Sequence, residues 1–173
     1  MVDFKKIVRD IPDFPENGIL FRDITPVLLN PNNFREAVDK IGEITADISY
    51  DCIAGPESRG FIFGAPLAYA AGKGFIPVRK AGKLPWKTVH RRYSLEYGEA
   101  EIEIHEDAIK KGDKVLIVDD LLATGGTCAA ICGLIEEMGG IVAGCAFFIE
   151  LAGLNGRALL PVKSELVRSV LVY

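Results

Sequence analysis

Short apolar runs rich in β-branched residues recur along the 173-residue chain, each closed by glycine, proline or charge. They are "DCIAG" (51–55), "GFIPVRK" (74–80), "KVLIVDD" (114–120) and "IVAGCAFFIEL" (141–151). Runs apolar at successive positions predict strands buried on both faces. Between them, apolar residues fall at helical spacing. "NPNNFREAVDKIGEITADI" (30–48) opens on an Asn start signal, "RGFIFGAPLAYAAGKG" (59–74) ends on glycines, and "GGTCAAICGLIEEMGG" (125–140) stops at Gly139–Gly140. The alternation predicts an α/β fold in one domain over 1–173, a parallel sheet with helices on both faces. Ligands of such sheets bind beyond the carboxyl ends of the strands, where Asp119 and Asp120 fall.

The stretch "AGKLPWKTVHRRYSLEYG" (81–98) shows no sustained periodicity and carries basic residues with no acid before Glu96. So long a loop inside a compact domain is usually functional or disordered. "EAEIEIHE" (99–106) alternates acidic and apolar residues and predicts a strand with one wet face, so the loop reads as the tip of a hairpin-like excursion. His105 is placed on that outer strand as a surface residue.

Composition narrows the class. No apolar stretch reaches the roughly 18 residues of a membrane span, and the charged N-terminus has no signal-peptide character. A soluble, cytoplasmic protein with no membrane partner is expected. A net charge of -4 argues against a dedicated nucleic-acid binder. The four cysteines contain no C-x-x-C pair, and Cys128 and Cys132, one helical turn apart, read as packing residues. Two histidines leave little for a histidine-based triad.

The chemistry concentrates in "VLIVDDLLATGGT" (115–127). Asp119 and Asp120 end an apolar strand, and the pleat aims them to opposite sides. The turn Ala123, Thr124, Gly125, Gly126, Thr127 leads into a helix, where successive N–H groups and the helix dipole hold an anion. Acids suit hydroxyls or a hydrated cation; the turn suits a phosphate. A ribose 5-phosphate carries both. A P-loop NTPase reading needs G-x-x-x-x-G-K-[ST], and "GPESRGFI" (55–62) has Phe61 where Lys is required. A structural strand–turn–helix with solvated acids is the bland alternative.

The same string resembles the phosphoribosyl pyrophosphate (PRPP) binding motif of type I phosphoribosyltransferases, in the wording of the adenine-using branch. The resemblance continues through "FPENGILFRDITPVL" (14–28), "GPESRGFIFGAPLA" (55–68), "RKAGKLP" (79–85), "YSLEYG" (93–98) and "ELAGLNGR" (150–157). It implies that family's fold, with a small base-binding hood over about 1–30 and a mobile lid over about 81–98. Asp119 and Asp120 would hold the ribose, and 123–127 its 5-phosphate. Ser58 and Arg59 would donate to pyrophosphate. Arg79, Lys80 and Lys83 would meet pyrophosphate charge, in the same or a partner subunit. Leu20 and Arg22 would pair their backbone with adenine while Phe21 stacks on it. Glu96 is the implied catalytic carboxylate, alongside Arg59, with Tyr97 over PRPP. Pro56, just before the Glu-Ser pair, departs slightly from the family pattern. His90, Arg91 and Arg92 receive no role. The implied reaction is adenine plus PRPP to AMP and pyrophosphate, in a homodimer. Magnesium would be held mainly by PRPP and water. A 6-oxopurine phosphoribosyltransferase shares the PRPP site and stays open as an alternative. A non-catalytic PRPP-binding regulator is disfavoured by the lid glutamate and by the lack of spare length.

Overall fold

The computed structural model describes residues 2–94 and 99–173. They form two compact units, Met1–Lys40 and Ile41–Tyr173.

In the first unit, β1 (Arg9–Pro12) and β2 (Leu20–Asp23) make an antiparallel hairpin with Asp10 opposite Arg22 and Ile11 opposite Phe21. Opposite charges facing across the ladder favour this register: Arg22 pairs with Asp10, and Arg9 with Asp23 at 3.6 Å. A short helix, α1 (Thr25–Leu29), precedes α2 (Pro31–Ile44). The Asn30 side chain accepts the N–H groups of Asn32 and Asn33, which caps α2 one residue inside the predicted start. The helix stops short of the predicted Ile48. The Thr45 hydroxyl bends back onto the Ile41 carbonyl at 2.8 Å, an alternative to continuing the helix.

The second unit is a seven-stranded sheet. Its strands are β3 (Cys52–Pro56), β4 (Gly74–Lys80), β5 (Thr88–Ser94), β6 (Glu99–His105), β7 (Lys114–Leu122), β8 (Ile141–Glu150) and β9 (Val167–Val172). They lie in the order β5-β6-β4-β3-β7-β8-β9, parallel from β4 to β9 and antiparallel across β4, β6 and β5. α3 (Arg59–Ala71) and α4 (Gly126–Glu137) cover opposite faces. Successive strand residues point to opposite sides. Phe148 stacks on Phe63 of α3 at 5.1 Å, while Phe147 joins Ile131 and Ile135 of α4 in the other core layer. The expected parallel α/β sheet with helices on both faces is therefore found.

Four expectations are corrected. β7 runs to Leu122, so the acid pair lies inside the strand. Its ladder to β3 ends at Ile117, however, while its ladder to β8 continues to Leu122. The acids thus lie where one edge of β7 has lost its neighbour. Second, the aperiodic segment contains a full strand, β5, paired with β6 from Thr88 to Ser94. Third, His105 is half-buried, and its Nε2 is buried with no hydrogen-bond partner. Fourth, β6 does not have a uniformly wet face. Glu103 is 1% exposed, and the 81–88 turn folds over it.

Glu103 organises that turn. Its Oε1 accepts the N–H groups of Lys83 and Leu84 at 2.8 and 2.7 Å, and its Oε2 accepts the Thr88 hydroxyl at 3.3 Å. Burial alone would raise its pKa, but the backbone donors of Leu84, Gly82 and Lys83 and the Thr88 hydroxyl outweigh it and hold the carboxyl below its usual range. His90, given no role above, packs here, its Nδ1 3.6 Å from Glu103 and its Nε2 2.7 Å from the Thr88 hydroxyl. Hydrogen bonds to a charged group contribute roughly 1.5–3 kcal/mol. Glu103→Gln should therefore lose about 2 kcal/mol at neutral pH in denaturant unfolding. A depressed carboxyl pKa stabilises the fold above the unfolded pKa, and that contribution is lost as pH falls through the folded one. The gap between wild type and variant should accordingly close in acid. A gap that persists to about pH 2, below the ordinary carboxylate range, would remove the charge from this account.

Candidate active site

The turn after β7 enters α4 through Gly125, whose φ of 85° is the left-handed conformation that favours glycine. The first N–H groups of a helix have no partner within it, and here they open on a cavity of about 200 Å³. Its walls are Arg59, Asp119, Asp120 and the 121–128 segment. Behind the turn lies Gly156. A Cβ on Gly125 would strike the Gly156 carbonyl, and one on Gly156 would strike the Ala123 carbonyl. Two backbones touch there because neither residue carries a side chain.

Arg157 holds this contact in place. Its guanidinium donates to both carboxylate oxygens of buried Glu150 at 3.0 and 2.6 Å. It also donates to the carbonyls of Ser164 and Val167 at 3.0 and 2.6 Å. The Ser169 hydroxyl gives Glu150 a further bond at 2.5 Å. Arg157, ahead of the opposing cost of burial, holds the Glu150 carboxyl below its usual range. These residues carried no role in the sequence reading, although "ELAGLNGR" stood out as a block. An Asn-Gly turn followed by Arg, shortly after a strand ending in Glu, was the available signal.

Asp119 and Asp120 form one wall. Asp120 is 4% exposed, and its Oδ2 lies 2.9 Å from Arg59 Nε. The Asp119 carboxylate accepts the N–H of Asp120 at 2.8 Å. Burial, then the neighbouring Asp120 charge, pushes the Asp119 carboxyl well above its usual range. Burial raises Asp120 too, with the Arg59 guanidinium pulling the other way. Such a pair resists carrying two full charges and favours hydroxyl donors over further anions. Arg59, the first residue of α3, thus rests on the acid pair while half-exposed to the cavity.

Two further spaces continue the cleft. One, of about 140 Å³, is lined by Pro56, Glu57, Arg79, Lys80, Tyr93 and Thr127 among others. The next, of about 320 Å³, is lined by Glu57, Ser58, Lys80 and Lys83. Thr127 is common to the first two, and Glu57 and Lys80 to the last two. Arg79 is itself engaged, donating to Glu57 at 3.0 Å and to the Lys83 carbonyl at 3.0 Å. Lys80 donates its backbone N–H to Glu57 at 2.7 Å, and its side chain is exposed. The β5–β6 hairpin closes the far wall. The Tyr93 hydroxyl is 3.3 Å from Thr127 Oγ1, and Arg91 lies against Gly133 of α4 with its guanidinium 3.7 Å from Glu137. Arg92 pairs with Glu101 at 3.4 Å. Arg91 and Arg92 are thereby placed in packing and surface pairing. Leu20, Phe21 and Arg22 lie on β2 of the first unit, where the Phe14 and Phe21 rings meet edge to face at 5.1 Å. Glu96 and Tyr97 fall outside the described residues.

The phosphoribosyl transferase domain family matches residues 27–170. A curated relative, the adenine phosphoribosyltransferase of Pseudothermotoga lettingae, is 55% identical over 172 residues, 99% of this chain and 100% of its own length. The chain belongs to the adenine phosphoribosyltransferase family. The crystal structure of the family member from Thermoanaerobacter pseudethanolicus has a TM-score of 0.94 at 48% identity, covering 98% of this chain and 97% of that one. The Saccharomyces cerevisiae member was crystallised with D-2,5-dideoxy-2,5-imino-altritol 1,6-bisphosphate and adenine. It has a TM-score of 0.89 at 41% identity, covering 96% of this chain and 95% of that one.

Two variants test this cleft as the site of an adenine phosphoribosyltransferase. Gly156→Ala should leave the far side of the sheet intact but raise the KM for PRPP about tenfold or more, since backbone and not a flexible side chain must move. An unchanged KM would show that the turn tolerates displacement. Asp119→Asn should melt at a higher temperature than wild type, because a carboxyl whose pKa is raised on folding destabilises the fold above its unfolded pKa. The same variant should use PRPP about tenfold less well. A lower melting temperature would contradict the raised pKa.

Proposed function

We propose that the protein joins adenine to PRPP, giving AMP and pyrophosphate in purine salvage. The observation that supports this most directly is the continuity of the cleft. One cavity holds the backbone anion cradle together with the Asp119 and Asp120 carboxylates, and past Thr127, Glu57 and Lys80 the cleft leads to Ser58 and Lys83. A ribose bearing a 5-phosphate and a pyrophosphate carries the hydroxyls and anions that these groups would receive.

In this reading the N–H groups and hydroxyls of 123–127 hold the 5-phosphate, and Asp119 and Asp120 accept the ribose 2- and 3-hydroxyls. Ser58, Arg59, Lys80 and Lys83 face the pyrophosphate, with Arg79 bracing the pocket through Glu57. Leu20, Phe21 and Arg22 recognise adenine, whose 6-amino donor and N1 acceptor complement a backbone carbonyl and N–H. A 6-oxopurine reverses that pattern and would leave buried groups unpaired. As the bond from C1 to pyrophosphate lengthens, positive charge builds on the ribose, and the acid pair stabilises it. Adenine N9 attacks from the opposite face and inverts C1. Glu96 accepts a hydrogen bond or proton from the purine as its ring gains charge. Tyr97 covers PRPP, and closure of the 81–98 segment excludes water that would hydrolyse it.

A magnesium ion held chiefly by PRPP oxygens and water would offset leaving-group charge when bound. The reading treats 1–173 as one working domain with a hood over about 1–30. It includes a homodimer in the cytoplasm with no nucleic-acid or membrane partner. Among the described residues, no helix is long and apolar enough to cross a membrane.

The direct test mixes the purified protein, PRPP and magnesium with adenine, hypoxanthine or guanine in turn. AMP should accumulate, with IMP and GMP at least about 10⁴-fold slower, as expected where a site's hydrogen bonds are reversed. Comparable rates on hypoxanthine would overturn the base assignment while leaving the PRPP site standing. Glu96→Gln should lower kcat by about 10²-fold or more with little change in KM, and wild-type turnover would remove Glu96 from the chemistry.

A further inference from the structure

Three of the four cysteines have no part in this chemistry, yet they form a cluster. Cys128 and Cys132 lie one turn apart on α4, and Cys145 faces them from β8. All three are free thiols, buried at 5%, 0% and 0% exposure. Their Sγ atoms lie within 4.8 Å of one another, and the Cys128 thiol donates to the Cys145 sulfur at 3.6 Å. We propose that Cys128, Cys132 and Cys145 form a three-thiolate site for a trivalent thiophilic ion of the arsenous acid class, placed directly behind the anion cradle.

Geometry is the first argument. Three thiolates about 2.3 Å from a pyramidal trivalent centre stand about 3.5 Å apart. The Cys128 and Cys145 sulfurs are already 3.6 Å apart and all three lie within 4.8 Å, so rotation of the buried side chains closes the set. The triangle is also held from two directions, by a helix and by a central strand of the sheet. A close-packed core keeps such a triangle from spreading.

Charge selects the ion. The surrounding core contains Ile117, Ile131, Leu134 and Phe147. A divalent ion on three thiolates leaves one negative charge in that apolar setting, which is costly. A trivalent centre on three thiolates is neutral. A structural zinc site needs a fourth ligand, and the group gathered here among the described residues has three. The exchange balances without any oxidant or reductant. Three arsenic–oxygen bonds break and three arsenic–sulfur bonds form. Each departing hydroxide leaves with one thiol proton as water, and arsenic stays trivalent.

Access comes through the cleft, because Cys128 is one of its lining residues. The cluster is otherwise sealed, so Cys128 is the first sulfur reached and the other two complete the set. Occupancy would tie the first turn of α4 to β8 and stabilise the folded chain.

The test uses the reduced, folded full-length protein and sodium arsenite, read by native mass spectrometry. One arsenic should be taken up, with a mass gain equal to one arsenic atom less three hydrogens, and the melting temperature should rise. Cys52→Ala should bind as wild type does. Cys132→Ala and Cys145→Ala should each bind on the order of 100-fold more weakly, since a third intramolecular ligand contributes through effective concentration. Should a variant fail to fold, the hydrogen count on wild type still decides. No uptake by wild type, loss of only two hydrogens, or undiminished binding by a folded Cys132→Ala protein would each overturn the site.

Discussion

A cradle made of peptide N–H groups works only if the chain that presents them cannot retreat. Here the constraint is the contact between Gly125 and Gly156, two residues with no side chain and their backbones in touch. The helix end supplies the donors, and the 155–157 turn stops them from being pushed back. That turn is fastened by Arg157, which reaches Glu150 on β8 and two carbonyls of the 164–167 stretch leading into β9. The edge of the sheet, the return loop and the cradle are therefore one mechanical unit. A planar guanidinium with several fixed donors suits this fastening in a way that a flexible ammonium does not.

The acid pair depends on the same sheet. β3 leaves β7 at Ile117 and turns into α3, opening the edge of β7 at the point where Asp119 and Asp120 occur. Side by side and largely buried, the two carboxyls oppose each other, and the Arg59 guanidinium, 2.9 Å from Asp120, offsets their charge without outweighing burial. That arrangement is unfavourable for the fold alone. The ribose hydroxyls of the proposed function would spread that charge, so in that reading the site rests on a local departure from what stability would select.

The strands and helices of the sheet were legible because burial on both faces leaves unbroken apolar runs, as in Val115–Val118. The acid–turn string was legible because each half has a distinct chemical preference. What escaped the sequence was set by tertiary partners. Glu103 fits the alternation of a wet strand, and only the 81–88 turn folding over it makes it buried. β5 looks aperiodic because its exposed positions carry His90, Arg91 and Arg92, whose partners Glu103, Glu137 and Glu101 lie elsewhere in the chain. β9 is a half-buried edge strand at the chain end, too irregular in exposure to show a clean period. Gly156 and Arg157 matter through one contact and four hydrogen bonds, none of which a linear pattern displays.

The hairpin and the cradle share a helix. Arg91 lies across Gly133 and pairs with Glu137 near one end of α4, and Tyr93 meets Thr127 at the other. Thr127 thus has two claims on its hydroxyl: Tyr93, and whatever anion lies in the turn. A ligand that engages Thr127 must change the free energy of the Tyr93 contact, and by reciprocity the hairpin's position must change the affinity of the turn. The coupling needs no long-range pathway, because one hydroxyl belongs to both sites. The 81–98 segment, expected to close over the substrate, includes β5, so in the proposed function its anchoring and the holding of the 5-phosphate would be linked through α4.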